Sequence, residues 1–426
     1  MSVTLDGTAT RLEQELGAVW VSVAEDARAG HAVDGLRPRI VCRPADAGQI
    51  AAVLRVCREA GAAVTPWGGG TSIGLGNIPR RVDVVLRTDR LAALGEHDDA
   101  NLTATVQAGM ALAPLNARLA AGRQFLALDP PHPEAATVGG ILAANLNGPR
   151  RMAYGGVRDL VIGIRVVLAG GEQIKSGGKV VKNVAGYDMC KLFTGSLGTL
   201  GVITEATFKM TPLPEAQATV LARGAAGAVM RMVDDLFASV LQPTAITVTN
   251  TLDDLPPGAH ALALAAEGFT ETVERHVRDV AAMARSAGLS VDVLRESRHN
   301  ALWAGIRDFP GDGEAMIRLT VPPASVEPAL RAVGGLPGGA AWVAHAASGA
   351  IFVRTPPGAA APAFAALTDV AQAHRGHVVL MAAPPDVKHG RDVWGPPPQA
   401  LGLMRELKRQ FDPDNLLNPG RFVGLC

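Results

Sequence analysis

Net charge, clustered cysteine and long apolar runs are all scarce in this 426-residue chain. Lys plus Arg and Asp plus Glu both number 40, so the formal charge is zero and nothing electrostatic favours a nucleic-acid or anionic-membrane partner. The four cysteines stand at positions 42, 57, 190 and 426, without the short spacing of a zinc or iron–sulfur ligand set. We therefore expect no bound metal, and we interpret the thiols as small buried side chains in a reducing compartment.

Signals for membrane insertion and secretion are absent as well. No run approaches the roughly 18 uncharged apolar residues of a spanning helix. The first residues read MSVTLDGTATRLEQELGAVW, which contains neither a basic n-region nor an apolar h-region. These absences predict a cytoplasmic protein without a membrane span of its own, so that any membrane association is made through a partner.

Glycine is the abundant residue, with 48 copies, and many of them cluster before position 202. Apolar residues make up 48% of the chain and charged residues 19%, which is an ordinary globular composition with room for two or three core-bearing units. Clustered glycine indicates tight turns and close approach of the backbone to another group. The chemistry of the chain is therefore expected in this first half.

The periodicity of the first half predicts alternating short strands and helices. We expect a helix over residues 10–28, since Leu12, Leu16, Val19 and Val23 recur at helical spacing. A strand, helix and strand then lead from Ile40 to Pro66. The remaining predicted elements are strands at 82–86 and 102–106, a helix at 112–121, a strand at 161–168 turning at 170–172 into 173–176, and a strand at 202–210.

The residue pattern changes near Pro212–Glu215, after which glycine clusters disappear. From there to about Met381 the pattern predicts two βαββαβ rounds, hence an antiparallel sheet with helices on one face. The tract Pro356–Pro362 is interpreted as a loop, and a helix is expected at 400–411. The fold class is thus α+β.

Three glycine-rich segments are candidates for ligand binding, and each has a plain structural alternative. Residues 66–77 read PWGGGTSIGLGN, which offers converging N–H donors to an anion or else forms a flexible loop; no Gly-Lys-Ser/Thr follows, so this is no Walker loop. Residues 136–148 permit either a flat ligand or close helix packing. In residues 177–203, Lys182, Asp188 and Lys191 are as compatible with structural ion pairs as with ligand contacts.

Taken together in this order, the segments carry a resemblance to a known family. The stretches PPHPEAATVGGILAANLNGPRRMAYGGVRDLVIGIRVV and GGKVVKNVAGYDMCKLFTGSLGTLGVITEATFKMTPLP resemble the FAD-binding domain of the vanillyl-alcohol oxidase/p-cresol methylhydroxylase (PCMH-type) superfamily. More narrowly they are similar to GlcE-type subunits, the smaller FAD-binding subunits of glycolate oxidases. The C-terminal FDPDNLLNPGRF extends the similarity. The resemblance implies a PCMH-type FAD domain of two α+β subdomains over 1–213, a ferredoxin-like cap over 214–395 and a C-terminal helical segment over 396–426 that returns to the flavin.

By the same resemblance, FAD is the expected cofactor. The pyrophosphate would lie in Gly68–Ser72, the flavin and ribityl chain along the second segment, and the adenine end against the backbone near Ile203. The implied cofactor-binding residues are Pro66, Gly68, Gly69, Gly70, Thr71, Ser72, Gly76, Asn77, Pro131, Thr137, Gly139, Gly140, Asn145, Gly148, Gly198, Thr199, Gly201, Val202, Ile203, Asn418 and Arg421. Many family members attach FAD through a histidine in the pyrophosphate loop. Residues 68–76 contain no His or Cys, which excludes a covalent link from this loop, and His132 has a structural or flavin-proximal role.

A 2-hydroxy acid requires a cation for its carboxylate and a base for its hydroxyl proton, and these are less well marked. Arg307 and Arg318 resemble arginines of related subunits and suit a carboxylate, although Arg307 alone could equally be a solvated helix charge. His374 and His377 are candidate bases with a structural alternative; the catalytic choice is Arg307, Arg318 and His377. No His-x-Gly-Asp-Gly-Asn signature is found.

These observations leave three functional hypotheses open. The first is a subunit of a glycolate-type dehydrogenase that oxidises glycolate or D-lactate beside a second, GlcD-like flavin subunit and passes electrons to a GlcF-like iron–sulfur subunit. The second is an FAD-bearing structural or electron-relay subunit without catalysis. The third is a stand-alone FAD oxidase acting on another hydroxy acid.

Overall fold

The first glycine-rich segment leaves the end of a small N-terminal sheet. A computed structural model describes residues 5–178, 187–309 and 314–426. Its first layer consists of α1 (Leu5–Leu16), β1 (Val21–Ser22), α2 (Glu25–Ala29), β2 (Ile40–Cys42), α3 (Ala47–Ala60), β3 (Val64–Trp67) and β4 (Val84–Arg87). The strand order is β1-β2-β4-β3, and β2, β4 and β3 run parallel. Residues 416–418 return beside β3, since Val64 forms a parallel bridge with Leu417.

The predicted strand–helix–strand unit is confirmed, and its ends follow from local chemistry. The Asp46 carboxylate accepts the Gln49 N–H at 2.8 Å and caps α3, which ends at Gly61 with φ +62°. The helix predicted over 10–28 is wrong beyond Leu16. Gly17 has φ +89°, which ends α1, and Val19 beyond it is 81% exposed. Helical spacing alone therefore extended the prediction past the glycine that stops the helix.

A second sheet carries the other two glycine-rich segments. Its elements are β5 (Leu94–Asp98), β6 (Thr103–Gln107), α4 (Leu112–Leu119), β7 (Gln124–Phe125), α5 (Val138–Ala144), α6 (Arg151–Tyr154), α7 (Val157–Leu160), β8 (Val161–Val167), β9 (Gln173–Gly177), α8 (Met189–Phe193), β10 (Val202–Lys209) and β11 (Thr211–Pro212). The five long strands are antiparallel in the order β5-β6-β10-β8-β9, and β7 pairs with β11. The predicted β8–β9 hairpin is confirmed.

The third sheet has eight strands and covers one end of the glycine-rich layers. We call this sheet and its helices the roof. Its elements are β12 (Ala216–Ala225), α9 (Ala226–Ala238), β13 (Ala245–Thr249), β14 (Ala259–Gly268), α10 (Thr270–Ser286), β15 (Ser290–Leu294), α11 (Glu296–Arg307), β16 (Ala315–Thr320), α12 (Val326–Gly334), β17 (Ala341–His345), β18 (Ala350–Thr355), α13 (Pro357–Ala373) and β19 (His377–Ala382), followed by α14 (Pro385–Lys388) and α15 (Leu401–Phe411). The order β15-β12-β14-β13-β17-β18-β16-β19 contains two ferredoxin-like rounds joined at β13 and β17. Both predicted rounds are confirmed.

Two details of this roof differ from the sequence-based expectation. Helices α9, α10, α12 and α13 pack on one face of the sheet, as predicted, but α11 packs on the other face, where Trp303 and Ile306 meet Met316 and Val343. The tract Pro356–Pro362, predicted as a loop, mostly forms the first turns of α13. Pro357 occupies the first helical position, where a missing N–H costs nothing, and the alanines around it favour a helix.

Several smaller expectations can be compared with the structure. Cys42, Cys57 and Cys190 are buried, as predicted, and Cys426 is partly exposed. Asp188 and Lys191 form an exposed ion pair at 3.1 Å, in line with the structural alternative. Lys182 and the rest of 179–186 lie outside the described residues. Among the residues that the structure describes, no helix is long and apolar enough to cross a bilayer.

Candidate functional site

A continuous groove runs from the edge of β10, past the first glycine-rich segment, to a cavity under the eight-stranded sheet. The groove, as we name it, is lined by Pro66, Trp67, Gly68, Gly69, Gly70, Thr71, Ser72, Ile73, Leu75, Thr88, Ala108, Thr137, Gly139, Gly140, Ala143, Ala144, Leu197, Gly198, Gly201, Val202, Ile203, Asn418 and Arg421. The outer cavity is lined by Thr71, Ser72, Gly74, Leu75, Asp129, Pro131, His132, Leu146, Asn147, Gly148, Pro149, Ile306, Arg307, Phe309, Met316, Val343, His345, Phe352, Met381 and Ala382. Thr71, Ser72 and Leu75 border both, so the two form one space.

The middle of the groove is a row of free backbone donors. Between Gly68 and Ser72, no backbone N–H donates a hydrogen bond to any residue that the structure describes. Gly70 has φ +77°, and a Cβ on Gly69 would lie 1.8 Å from the Ala135 carbonyl oxygen, so the chain takes this path only with glycine. Unpaired N–H groups that converge at a turn form an anion site, which fits a diphosphate.

The β10 end of the groove offers backbone edges. Val202 and Ile203 pair with β8 on one side, whereas pairing with β6 begins only at Glu205, so their other edge faces the groove. Gly201 is required there because a Cβ would lie 2.5 Å from the Val166 side chain. Main-chain donors and acceptors beside small residues suit the edge of a flat heterocycle.

Two residues of the C-terminal segment close the groove at the glycine-rich loop. The Asn418 amide donates to the Leu197 carbonyl at 2.7 Å, and its Oδ1 is buried without a described partner. Arg421 is 2% exposed; its Nη2 donates to the Ile73 carbonyl at 2.5 Å, while its Nη1 is buried without a described partner. Burial lowers the pKa of Arg421 to about 10, against the opposing attraction of Asp34. The orphaned amide oxygen and guanidinium nitrogen border the row of free N–H groups.

Arg307 lies on the wall of the outer cavity, as a substrate-binding residue requires. Its Nε and Nη2 donate to the Asp308 carboxylate at 2.9 and 2.7 Å. The hydrogen bond to Asp308 raises the pKa of Arg307 further, despite partial burial. Asp308 Oδ1 also accepts the His132 N–H at 2.9 Å and so ties the roof to the lower layers. His132, with φ +54°, borders the cavity too.

Arg318 and His377 lie near one another on β16 and β19 but do not line the outer cavity. Arg318 Nε is buried without a described partner, and burial, followed by the charge of Arg151, lowers the pKa of Arg318 to about 10. Burial, with a further contribution from Arg318, lowers the pKa of His377. His374 follows the C-terminus of α13. The two predicted catalytic residues on these strands therefore remain outside the space that Arg307 borders.

Two titratable residues of the outer cavity were not identified from the sequence. Burial raises the pKa of Asp129 to about 6, although its carboxylate accepts the Gly148 N–H at 2.7 Å and the Arg150 N–H at 3.1 Å. Burial lowers the pKa of His345 to about 3, and its Nδ1 lies 3.1 Å from Thr247 Oγ1. Asp129 looked like a turn-former before two prolines. For His345, the strand pattern AWVAH placed it on the same face as Val343, which was the available signal.

Four of the predicted cofactor residues do not border the groove or the outer cavity. Gly76 and Asn77 lie behind the loop, where the Asn77 amide donates to Asp392 and to the Phe422 carbonyl, both at 3.0 Å. Asn145, with φ +50°, ends α5. The Thr199 hydroxyl donates to the Ser196 carbonyl at 2.7 Å. These residues support the walls, and the other predicted cofactor residues lie on them. No group of three or more metal-ligating side chains occurs within 5–178, 187–309 and 314–426.

Comparison with known proteins identifies two family matches and several similar proteins. Residues 38–177 match the FAD binding domain family, and residues 396–422 match the C-terminal domain of FAD linked oxidases. The chain is 30% identical over 418 residues to the glycolate oxidase subunit GlcD of Bacillus subtilis, covering 90% of this chain and 88% of that one. It is 45% identical over 121 residues to the glycolate oxidase subunit GlcE of Escherichia coli, covering 28% of this chain and 35% of that one.

The fold also matches a solved structure over its whole length. p-Cresol methylhydroxylase with substrate bound superposes with a TM-score of 0.77 at 16% identity, covering 98% of this chain and 96% of that one. The predicted PCMH-type fold is thereby confirmed. The two matched FAD families make FAD the cofactor of this chain. This chain belongs to the vanillyl-alcohol oxidase/p-cresol methylhydroxylase family of FAD-linked oxidoreductases.

Proposed function

We propose that this chain oxidises a small 2-hydroxy acid, glycolate or D-lactate, to the 2-oxo acid with noncovalently bound FAD. The groove would hold the cofactor, with the diphosphate at Gly68–Ser72, the adenine end at Val202 and Ile203, and the flavin facing the outer cavity near Pro131 and Gly148. Bound flavin supplies the acceptor for the hydride that leaves the substrate α-carbon. The open N–H groups and the orphaned atoms of Asn418 and Arg421 support this fit.

The position of Arg307 is the observation that carries the substrate assignment. It is a cation in a cavity whose other walls include Phe309, Met316, Val343 and Phe352, and that cavity opens into the groove. Asp308 engages Nε and Nη2, so within the described part of the chain Nη1 is the guanidinium nitrogen left to receive a carboxylate. An arginine beside these apolar side chains can orient a small anionic substrate through its carboxylate.

Asp129 and His345 are the groups proposed to handle the substrate hydroxyl. With a pKa of about 6, Asp129 is ionised at neutral pH and can accept the hydroxyl proton as hydride leaves. His345 is a weak proton acceptor because its pKa is about 3, so we assign it to orienting the hydroxyl as a neutral ring. Asp129 thus replaces His377 as the base, since His377 does not border the cavity.

Glycolate oxidase subunits are the relatives that suggest how the electrons leave. We propose that the chain works as a GlcE-type subunit beside a GlcD-like flavin subunit and hands electrons to an iron–sulfur partner. The stretch of 121 residues that is 45% identical to a GlcE subunit supports this assignment. The four scattered cysteines do not have the spacing of iron–sulfur ligands, so the cluster would belong to the partner. The similarity to a GlcD subunit over most of the chain leaves the two subunit types to be separated by experiment.

One observation favours a second function, an FAD-bearing relay subunit without substrate oxidation. The charge of Arg307 is already compensated by Asp308 through two hydrogen bonds. A guanidinium so paired attracts a second carboxylate less strongly. If this pairing persists in the complex, the partner flavin subunit would bind the acid and this chain would carry electrons.

The isolated chain, reconstituted with FAD, distinguishes these functions. Under anaerobic conditions we expect glycolate or D-lactate to bleach the flavin absorbance near 450 nm within a turnover. Bleaching that appears only after the GlcD-like subunit is added would support the relay function and overturn the catalytic proposal. Rapid oxygen consumption by the isolated chain would instead support a stand-alone oxidase.

A further inference from the structure

Behind the glycine-rich loop, two buried cations engage four consecutive backbone carbonyls. Arg421 Nη2 donates to the carbonyl oxygens of Ile73 and Leu75. Lys388 Nζ donates to the Gly74 carbonyl at 2.5 Å and contacts the Gly76 carbonyl at 3.4 Å. The oxygens that follow Gly68–Ser72 are therefore bound, whereas the N–H groups of that loop are open. The carbonyl oxygens directly after the loop are thus held by cations, while the N–H groups of the loop itself stay open to an anion.

Asp34 is the carboxylate that joins this cluster. Its Oδ1 accepts from Lys388 Nζ at 2.6 Å, and the two side chains are 5% and 0% exposed. Among the described residues, Asp34 Oδ2 and Arg421 Nη1 are both buried without hydrogen-bond partners. Burying an ion pair costs desolvation free energy that its attraction scarcely returns, so such a pair is weak evidence for stability alone.

The charges of the cluster do not cancel. Lys388 and Arg421 are two cations, and Asp34 is one anion, so one positive charge remains beside the groove. Lys388 occupies Asp34 Oδ1, and Arg421, a residue of the groove wall, keeps one buried guanidinium nitrogen without a described partner. A buried unpaired charge is costly until a counter-ion binds, and the nearest open donors are those of Gly68–Ser72.

We propose that Lys388 is a positioning residue for the cofactor: it neutralises Asp34 and so keeps Arg421 available to the diphosphate of FAD. Without Lys388, Asp34, which already attracts Arg421, would have no other cation beside it and would cancel the positive charge at the loop. The inference rests on FAD binding by the groove and not on the hydroxy acid, so failure to oxidise glycolate would leave it intact.

The test compares Lys388→Met with the double variant Asp34→Asn/Lys388→Met, which restores the net charge of the cluster. Affinities of apo-protein for FAD, ADP and riboflavin are measured by fluorescence titration, with thermal unfolding of each apo-protein alongside. We expect Lys388→Met to weaken FAD and ADP binding about 100-fold, and the double variant to recover to within about 10-fold of the native chain. Riboflavin, which lacks phosphate, should bind each form alike.

Lys408→Met is the matched control. Lys408 is also buried and paired, donating to Asp412 at 2.5 Å and to the carbonyls of Thr199 and Leu417 at 2.9 Å. The Lys408→Met variant should have a lower melting temperature, and any change in its affinity should be the same for ADP and riboflavin. The proposal is overturned if Lys388→Met keeps its ADP affinity within about threefold, if riboflavin binding falls equally, or if the double variant binds ADP as weakly as the single one.

Discussion

The groove and the outer cavity meet at Thr71 and Ser72, but they differ in whether their polar groups already have protein partners. In the groove, the backbone donors of Gly68–Ser72 have no described protein partner, and one buried guanidinium nitrogen of Arg421 is unpaired, which costs stability until a counter-ion binds. In the outer cavity, Arg307 is already bound by Asp308. The contrast fits the proposed roles of the two spaces, in which the groove holds FAD and the outer cavity takes the substrate.

The largest effect on FAD binding is expected from a substitution that displaces the glycine-rich loop. Gly69→Ala places a methyl group 1.8 Å from the Ala135 carbonyl oxygen, so the loop has to move and its N–H groups no longer converge. We expect loss of bound FAD, read from the ratio of flavin to protein absorbance after purification. Gly74→Ala is the control, because a Cβ there meets nothing within 4 Å. Equal flavin content in both variants would refute the assignment of the diphosphate to this loop.

Removing the cation of the outer cavity should affect the substrate alone. Arg307→Met is expected to lower kcat/KM for the hydroxy acid by about 100-fold to 1,000-fold, the effect of losing a charged hydrogen-bonding partner. FAD content should stay at the native level. Asp308→Asn tests the pairing from the other side, since it frees Arg307 and should lower KM. A native kcat/KM in Arg307→Met would exclude this arginine from substrate binding.

The buried carboxylate of the cavity should respond to pH in two opposite directions. The folded-state pKa of Asp129, about 6, is raised above its unfolded value, so its contribution to stability is present at low pH and is lost as pH rises through 6. The free energy of unfolding, compared with Asp129→Asn, should fall by about 2 kcal/mol between pH 4 and 7. Activity should rise across the same interval because the base must be ionised.

Two measurements check this pair of effects. Urea unfolding at several pH values gives the stability difference, and kcat/KM over the same pH series gives the activity. Asp129→Asn should keep its FAD and lose the rise in activity near pH 6. If the variant shows the native pH profile, Asp129 only holds the Gly148–Arg150 turn and another group accepts the proton.

The smallest functional effect is expected in the roof, away from both spaces. Pro362 is exposed inside α13 and cannot donate a helical hydrogen bond. Pro362→Ala should raise the free energy of unfolding by about 1–3 kcal/mol, with FAD content and kcat unchanged. Thermal unfolding and steady-state kinetics measure both. A changed kcat would indicate that the roof transmits strain to the outer cavity and that the two regions are less independent than their contacts suggest.

The parts of the site that could be predicted from sequence depend on local backbone geometry. Gly68, Gly69 and Gly201 are recognisable because glycine marks positions where a Cβ has no room. Arg307 was predicted from its resemblance to arginines of related subunits. The sequence did not reveal that Asp308 already pairs with its charge. The two ferredoxin-like rounds could also be predicted from local signals, because strand and helix patterns alternate along that part of the sequence.

The residues that sequence reasoning missed owe their properties to partners far along the chain. Asp129 has a raised pKa because it is buried beneath the 148–150 turn, and Lys388 matters because Asp34 and the 74–76 carbonyls surround it. No spacing within one segment reveals such contacts. Conversely, Asn77 and Asn145 have the expected residue type in the expected segment, yet Asn77 bonds to Asp392 and Phe422, Asn145 ends α5, and neither lines the groove.

The pairing of Val64 with residues 416–418 sets an order of events during synthesis. Val64 N–H donates to the Leu416 carbonyl at 2.8 Å, and the Asn418 N–H donates to the Val64 carbonyl at 3.0 Å. The glycine-rich loop leaves the ribosome early, but Lys388, Asn418 and Arg421, which border or support it, leave much later. Such long-range closure is slow because the intervening chain must be ordered first. With the diphosphate site proposed here, FAD capture becomes a late step, and a nascent chain that stops within the eight-stranded sheet has the loop without the residues that close it.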